Sequence, residues 1–269
     1  MNISIVFTSE GPSCQAYLDM VEGLRSIISQ DTAHHIGDEY PDIVHLFGEF
    51  DWKTRHLLDS YHDLKIPTVL TVCNALSTYT RKHAELKQKS GWMLKKQVLK
   101  RATAVHAIGE TEAASLQTTV PNLQVATIAN AAVTGATSFK EMTNALIHLY
   151  STTIAKHEQT VQETIEKKLA LAKVDAADEV AVVSKQLLYD KYLNTRGLLT
   201  TKRLEETAQL LIRTDYDEDR LAALLPKLGI TTFTQELLAL LEEQSLLTEG
   251  FMPIKRGKKP LKIITVNKL

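Results

Sequence analysis

The chain has 269 residues, of which 44% are hydrophobic and 23% charged, and its formal net charge is −1. This near-neutral balance gives no global reason to expect a polyanion as partner, and the two cysteines, Cys14 and Cys73, exclude a disulfide framework and a zinc site built on cysteine pairs. No stretch approaches eighteen consecutive apolar residues, so we predict no membrane span and expect reduced thiols in a cytoplasmic protein.

Apolar runs alternate with amphipathic helical spans over the first half of the chain. Residues 2–8 predict a first strand, and the nearly continuous apolar run within 41–50 predicts a strand that is buried on both faces of its sheet. Three further strands are predicted at 66–72, 104–108 and 123–128. Strands that alternate with helices at this spacing predict right-handed βαβ units and a Rossmann-like α/β domain, residues 1–136, with a parallel sheet of about five strands.

Ligands of such a sheet bind beyond the carboxyl ends of its strands. The residues predicted to lie at that edge are, in chain order, Gly48, Cys73, Asn74, Gly109 and Glu110. The loop after the first strand contains Gly11 and Pro12 ahead of a helix, so it is either an anion site at a helix N-terminus or a plain turn. Because the loop has one glycine and no GxGxxG motif, we favour the plain turn. No catalytic residue, metal site or cofactor is predicted.

A basic segment, residues 81–101, departs from the neutral background, because its eight lysines and arginines accompany a single acid. One interpretation is a solvated helix face whose apolar side packs on the sheet through Leu86, Leu94, Val98 and Leu99. The other is a surface that faces an anionic membrane or a phosphate-bearing acceptor. The cations of that anionic-surface hypothesis are Arg81, Lys82, Lys95, Lys96, Lys100 and Arg101.

The second half of the chain, residues 137–269, is predicted to be mainly helical. A long helix begins near Ser138, and we expect it to pack back on the first domain through Phe139, Met142, Leu146 and Tyr150, or to contact a partner or a second copy. Shorter helices are predicted at 180–193, 202–212, 217–228 and 235–244, and Gly229 is expected to stop the third of these. Residues 251–269 predict a β-hairpin with a basic turn.

Helices followed by a hairpin describe a winged-helix-like unit, and the basic turn makes nucleic-acid binding one alternative function. The helix that would enter the major groove argues against it, because residues 231–244 contain Glu236, Glu242 and Glu243 and no lysine or arginine. We therefore expect a protein-interaction or packing module, and we do not expect sequence-specific DNA binding.

Four stretches of the first half carry a family resemblance: PDIVH (41–45), IPTVLT (66–71), KRATAVHAI (100–108) with Glu110, and VATIANAAV (125–133). In order and spacing they resemble the N-terminal, acceptor-side domain of family-four glycosyltransferases, which have the two-Rossmann-domain GT-B fold. The resemblance places Asn130 at the family's usual asparagine. It implies a domain that holds the sugar acceptor while a second Rossmann domain binds the nucleotide-sugar donor.

The sequence also departs from the family. Gly11 and Pro12 stand where two glycines are common, and Cys73 stands where a histidine is common. After Val133 there is no glycine-rich donor loop and no donor-site glutamate pair; instead residues 138–150 resemble the family's final helix, which crosses back onto the N-domain. The resemblance thus implies an acceptor-side half that acts with a partner or is catalytically silent. The alternative is a non-enzymatic scaffold or regulator that kept only the fold.

Overall fold

The computed structural model describes residues 1–8, 12–30, 35–37, 41–73, 86–135 and 137–263, without the side chains of 12–16, 35, 86–90 and 133–134. It divides into two compact units, residues 1–157 (unit 1) and residues 158–267 (unit 2). Among the described residues, no helix combines the length and the apolar character that a membrane crossing requires.

A parallel sheet forms the middle layer of unit 1. Its strands are β1 (Asn2–Phe7), β2 (His35–Ile36), β3 (Ile43–Gly48), β4 (Thr68–Val72), β5 (Ala104–Ala107) and β6 (Val125–Thr127). They are ordered β2-β1-β3-β4-β5-β6, and every neighbouring pair is parallel. The sheet therefore contains the five predicted strands and one two-residue edge strand, β2, so the Rossmann-like α/β prediction is confirmed.

The side chains of a strand alternate between the two faces of its sheet, so a strand of apolar residues presents apolar side chains on both faces. Helices cover both faces of this sheet. The helices of unit 1 are α1 (Pro12–Ile28), α2 (Trp52–Asp63), α3 (Leu86–Arg101), α4 (Glu110–Thr119), α5 (Ala131–Thr134) and the first half of α6 (Phe139–Leu171). Ile43 and Phe47 point to the face that packs against α1 and α6. Val44 and Leu46 point to the opposite face, which packs against α2, α3 and α4. β3 is therefore buried along its whole length, as its apolar run predicts.

The first half of α6 packs on the sheet of unit 1, as the sequence predicts. Met142, Leu146 and Tyr150 are each at most 1% exposed. The predicted burial of Phe139 is wrong, because its side chain is 37% exposed. Its ring lies at the edge of the interface, where a Cβ on Gly23 of α1 would come within 2.2 Å of it. The units consequently divide inside α6, between His157 and Glu158, and not at residue 136.

Unit 2 contains helices and no strand among its described residues. It contains the second half of α6, then α7 (Glu179–Arg196), α8 (Thr201–Arg213), α9 (Glu218–Leu228) and α10 (Thr231–Glu243). Leucines from all these helices form its core, among them Leu169, Leu187, Leu204, Leu225 and Leu237. Gly229 ends α9 at a φ of +67°, a left-handed conformation that favours glycine, so the predicted stop is confirmed.

The predicted terminal hairpin is not formed in residues 251–263, and residues 264–269 lie outside the described range. A 3-10 turn, Glu249–Phe251, leads into an irregular segment that contacts α10. Gly257 donates its N–H to the carbonyl of Gln235 at 2.8 Å, and Leu261 donates to the carbonyl of Glu236 at 2.7 Å. These N–H groups bond to a helix and not to a second strand, so the described part of unit 2 lacks a wing.

Candidate functional site

The predicted ligand-binding residues that the structure describes follow successive strands of the sheet. Gly48 ends β3, Cys73 follows β4, Gly109 follows β5 and Asn130 follows β6. The first two are brought together, because Cys73 donates its backbone N–H to the carbonyl of Gly48 at 2.8 Å. Gly11 and Asn74 lie outside the described residues, and Pro12 begins α1 with a side chain that is not described.

Gly48 has a packing role at this edge. A Cβ at this position would lie 2.5 Å from the Oγ1 atom of Thr54 and 2.6 Å from that of Thr8. These two hydroxyls are buried and hydrogen-bonded to each other at 2.9 Å. Asp51 fixes Thr54 in turn, because its carboxylate caps α2 by accepting the N–H of Thr54 at 2.7 Å. Glycine at position 48 thus lets the end of β3 approach the first turn of α2.

Gly109 and Glu110 begin α4, and the side chain of Glu110 is exposed. A buried carboxylate lies two residues further, at Glu112, which accepts the N–H of Ile108 at 2.8 Å. Burial raises the pKa of Glu112, and this backbone hydrogen bond opposes the rise. Asn130 is also buried and caps α5, since its Oδ1 atom accepts the N–H of Ala132 at 2.9 Å. Of these residues, Glu110 presents its side chain to solvent.

The basic segment includes one cation that is not on the surface. Lys95 is 3% exposed and its Nζ atom lies 5.1 Å from the ring centre of Phe50, so its predicted surface position is wrong. Burial lowers the pKa of Lys95. Lys100 is exposed as predicted, and Lys96 lies over the ring of Trp92 at 5.2 Å.

Arg101 is exposed only in part and forms an ion pair with Asp59 at 2.8 Å. Arg81 and Lys82 lie outside the described residues. On the apolar side, Val98 and Leu99 are fully buried as predicted, and Leu94 packs against the same core. The described part of the segment therefore offers two cations, Lys96 and Lys100, for an anionic surface.

A chain of four buried polar side chains crosses the sheet, and the sequence did not predict it as a unit. His45 Nδ1 lies 2.6 Å from Tyr150 Oη, and His45 Nε2 lies 2.7 Å from Thr71 Oγ1. Thr71 Oγ1 lies 2.7 Å from His106 Nδ1, and His106 Nε2 lies 2.9 Å from the carbonyl oxygen of Ile128. Strand parity places all three strand residues on the face that α6 covers.

The direction of each hydrogen bond follows from the last acceptor. The carbonyl of Ile128 only accepts, so His106 carries its proton on Nε2 and accepts from the hydroxyl of Thr71 at Nδ1. Thr71 then accepts from Nε2–H of His45, and His45 accepts the hydroxyl proton of Tyr150 at Nδ1. Every donor in the chain has an acceptor when both histidines are neutral.

Burial enforces this neutral state. It lowers the pKa of His45 far below its ordinary value, and the neighbouring His106 lowers it further. Burial lowers the pKa of His106 to about 4, against an opposing effect of its hydrogen bond to Ile128. Burial also raises the pKa of Tyr150. The chain is thus closed and uncharged, which suits the positioning of α6 and not proton transfer to a ligand. A histidine inside an apolar run, as at His45, is the sequence signal of such a chain.

Unit 2 contains a second buried polar cluster. Asp190 is fully buried and accepts hydrogen bonds from Arg203 Nε at 2.7 Å and from the hydroxyl of Thr207 at 2.6 Å. Burial raises the pKa of Asp190, and the hydrogen bonds from Thr207 and Arg203 oppose the rise. Within the described residues, no group of three histidine, cysteine or acidic side chains is placed to hold a metal ion. Comparison of the chain with known protein families, with curated proteins and with solved structures found no match.

Proposed function

We propose that unit 1 is the acceptor-side half of a nucleotide-sugar-dependent glycosyltransferase and that it works with a partner protein. Support comes from the family resemblance of its four stretches and from the parallel α/β/α layering of the unit. The observation that carries the proposal is the packing of α6. Residues 138–150, which resemble the family's final helix, cover the sheet beside α1 through Met142, Leu146 and Tyr150.

The ligand of this proposal, a sugar acceptor or a nucleotide-sugar, binds at the carboxyl edge of the sheet. The strand order reverses between β1 and β3, because β1 also pairs with β2 on its other side. Parallel sheets bind their ligands in the crevice at such a reversal. The residues of this site would be Gly11, which follows β1 in the sequence, Cys73 and Asn74, which follow β4 in the sequence, and Glu110 at the start of α4.

The partner is part of the proposal because sugar transfer needs a donor site. Negative charge develops on the leaving pyrophosphate in the transition state, and lysine, arginine or a helix N-terminus must stabilise it. In the family that group belongs to a second Rossmann domain. The described residues of unit 2, 158–263, contain helices and no strand. We therefore assign the donor site to the partner.

Thermal-shift and calorimetric titrations with UDP-, GDP- and ADP-sugars and with the free nucleotides test the proposal. A ligand that binds only the native state raises its stability by about 2.7 kcal/mol when present at 100 times its Kd. We expect one nucleotide class to raise the melting temperature of the wild type. Glu110→Ala should change the affinity, since it removes an exposed carboxylate at the proposed site. Glu22→Ala, an exposed glutamate within α1, should leave it unchanged. No shift with any ligand, with or without candidate partners, would refute the proposal.

A non-enzymatic scaffold or regulator is the second candidate function. It is favoured by the structural roles of two predicted site residues: Gly48 permits close packing, and Asn130 caps α5. The buried chain from Tyr150 to Ile128 is likewise satisfied without any ligand. A protein of this class would bind partner proteins in pull-down experiments and show no response to nucleotides in the same titrations.

A further inference from the structure

Unit 2 contains an open groove of about 690 Å³ between the second half of α6 and α7. This volume lies in the range of sites that bind small organic molecules. The contacts of Glu158 with Tyr192 and of Glu166 with Lys185 show that the two helices run antiparallel. The residues between them, 172–178, close one end of the groove.

Polarity changes along the length of the groove. The closed end is lined by small and apolar side chains: Leu169, Ala170, Val174, Ala176, Ala181 and Val182. The other end is lined by polar and charged side chains: Gln162, Glu166, Lys185, Gln186, Tyr189 and Arg203. A ligand that fills both ends must therefore have an apolar part and a polar part.

The polar end is held in place by the Asp190 cluster. The guanidinium of Arg203 donates from Nε to Asp190 and lies 5.1 Å from the ring centre of Tyr189. Gln186 donates to the hydroxyl of Thr207 at 2.7 Å, and Thr207 donates to Asp190. Arginine carries five N–H donors, and Arg203 uses one on Asp190 and one on Glu206, so donors are left for a further acceptor. The cluster thus fixes a cation that faces the groove.

The side chains that line the polar end can receive an acidic head group. Two of them are bases, Lys185 and Arg203, and one is an acid, Glu166. Asp190 and Glu206, which bind Arg203, are not part of the lining, so the anion would be held by the remaining guanidinium donors of Arg203 and by Lys185. Lys185 and Glu166 form an ion pair at 2.9 Å, but their side chains are 44% and 61% exposed. A pair so exposed contributes little to stability, so Lys185 is free to exchange Glu166 for another anion.

We propose that this groove binds a small amphipathic anion: an acidic head group lies beside Lys185 and Arg203, and its unbranched apolar chain lies along Leu169, Val174 and Val182. The ligand class is a medium-chain carboxylate or a phosphate ester of similar shape. This binding site lies entirely in unit 2 and does not depend on the function proposed for unit 1.

Titration of the full chain with decanoate, below its micelle-forming concentration, tests the proposal. We expect saturable binding at one site by calorimetry, with amide NMR shifts concentrated in residues 162–189 and near Arg203. Decyltrimethylammonium, which has the same chain length and the opposite charge, should bind at least tenfold more weakly. Acetate, which has the head group without the chain, should not bind detectably. Titration with decyl phosphate shows whether the groove prefers a phosphate or a carboxylate head group. Binding of either anion supports the proposal.

Two variants with matched controls locate the site. Lys185→Glu should weaken decanoate binding at least tenfold, whereas Lys167→Glu, an exposed lysine of α6 outside the groove, should not. Val182→Asp, at the apolar end, should also weaken decanoate binding at least tenfold, whereas Leu171→Asp should leave the affinity unchanged. Val182 is 43% and Leu171 84% exposed, so both substitutions are expected to leave the fold intact, which circular dichroism checks.

Any of the following outcomes would overturn the proposal. The first is no saturable binding of decanoate or decyl phosphate to the wild type. The second is equal binding of the anion and the cation, or full affinity in both Lys185→Glu and Val182→Asp. The third is a dimer that Val182→Asp dissociates while decanoate does not bind, which would assign the groove to a second copy of this chain.

Discussion

Tyr150 of α6 donates its hydroxyl proton to Nδ1 of His45 in β3, at 2.6 Å and across 105 positions of the sequence. Both side chains are fully buried. The helix that closes the sheet of unit 1 is therefore fixed by a directional hydrogen bond in addition to its apolar packing. The bond fixes Tyr150 of α6 beside His45 of β3.

Tyr150→Phe removes the donor and leaves Nδ1 of His45 buried without a partner. The expected loss is about 1–3 kcal/mol of unfolding free energy, the cost of an unsatisfied buried acceptor. Urea denaturation followed by tryptophan fluorescence measures it, because both tryptophans, Trp52 and Trp92, belong to unit 1.

Thr143→Val is the control on the same helix. Thr143 is fully buried and its hydroxyl has no hydrogen-bond partner among the described residues. Removal of that hydroxyl is expected to leave stability unchanged or to increase it. A similar loss in both variants would show that packing, and not the hydrogen bond to His45, explains the effect of Tyr150→Phe.

Acid should destabilise unit 1 through its two buried histidines. Their pKa values are lowered in the folded state, to about 4 for His106, so the unfolded chain binds protons first as the pH falls. The stabilisation is complete above about pH 6.5, the ordinary histidine pKa, and is lost as the pH falls from there toward about 4. His106 contributes up to about 1.4 kcal/mol per pH unit in that window, and the lowered pKa of His45 acts in the same direction.

The variant His106→Gln isolates one of these two contributions, since glutamine keeps a donor for Ile128 and does not titrate. Urea denaturation at pH 7.5, 6 and 5 should show a smaller loss of stability in the variant than in the wild type. The comparison also cancels the contribution of Glu112, whose raised pKa acts in the opposite direction. Parallel stability curves for the two proteins would contradict the prediction.

Gly48→Ala should destabilise unit 1, because the new Cβ would lie within 2.6 Å of the hydroxyls of Thr8 and Thr54. Overpacking of this kind typically costs about 1–3 kcal/mol. Gly109→Ala serves as the control, since a Cβ there meets nothing within 4 Å. The second substitution Thr54→Ala should restore part of the loss by making room. Equal stability of Gly48→Ala and wild type would remove the packing role assigned to Gly48.

Asp190→Ala should destabilise unit 2 by about 3 kcal/mol, because it leaves the largely buried cation of Arg203 without its partner. Glu206 is the second acid beside Arg203, at 3.4 Å and 49% exposed, and Glu206→Ala should change stability by less than about 1 kcal/mol. Amide hydrogen exchange in α7 and α8 distinguishes the two variants. Similar exchange rates would mean that burial of Asp190 costs as much as its hydrogen bonds contribute.

The anionic-surface hypothesis is tested by charge reversal at Lys96 and Lys100. Each cation near an anionic membrane contributes about 1 kcal/mol, and salt screens the attraction. If the surface binds membranes, phosphatidylserine vesicles should retain the wild type at low salt. The same vesicles should not retain the double variant Lys96→Glu/Lys100→Glu. Lys227→Glu, in unit 2, is the control. Lys95 is left unchanged because it is buried, so its reversal would test folding instead. No retention of the wild type would leave the solvated-face interpretation.

The sequence predicts most of the elements because local signals determine them. The apolar run of β3, the cap of α2 by Asp51 and the stop of α9 at Gly229 each depend on a few neighbouring residues. The terminal hairpin is predicted on the same grounds and is not formed in the described residues. Its N–H groups bond to Gln235 and Glu236 of α10, a tertiary interaction that alternation of residue types does not reveal.

The site is less predictable, since it depends on contacts between distant residues. Alternation places His45 on a particular face of its strand, but its partners lie 26 and 105 positions away. Lys95 illustrates the same limit, because helical spacing alone does not show that its side chain extends beneath Phe50. Composition and periodicity indicate which residues are buried. They do not indicate which buried polar atoms form hydrogen bonds with each other.

The division of the chain inside α6 has a consequence for how such proteins change during evolution. A recombination event that joins new DNA after the codon for His157 would keep Met142, Leu146 and Tyr150 over the sheet. The exchange would leave the core of unit 1 covered, and its fold would not depend on the segment newly attached after His157. An event at residue 136 would uncover that face and remove the donor to His45. We therefore expect shuffling to be tolerated in the middle of this helix and not at its start.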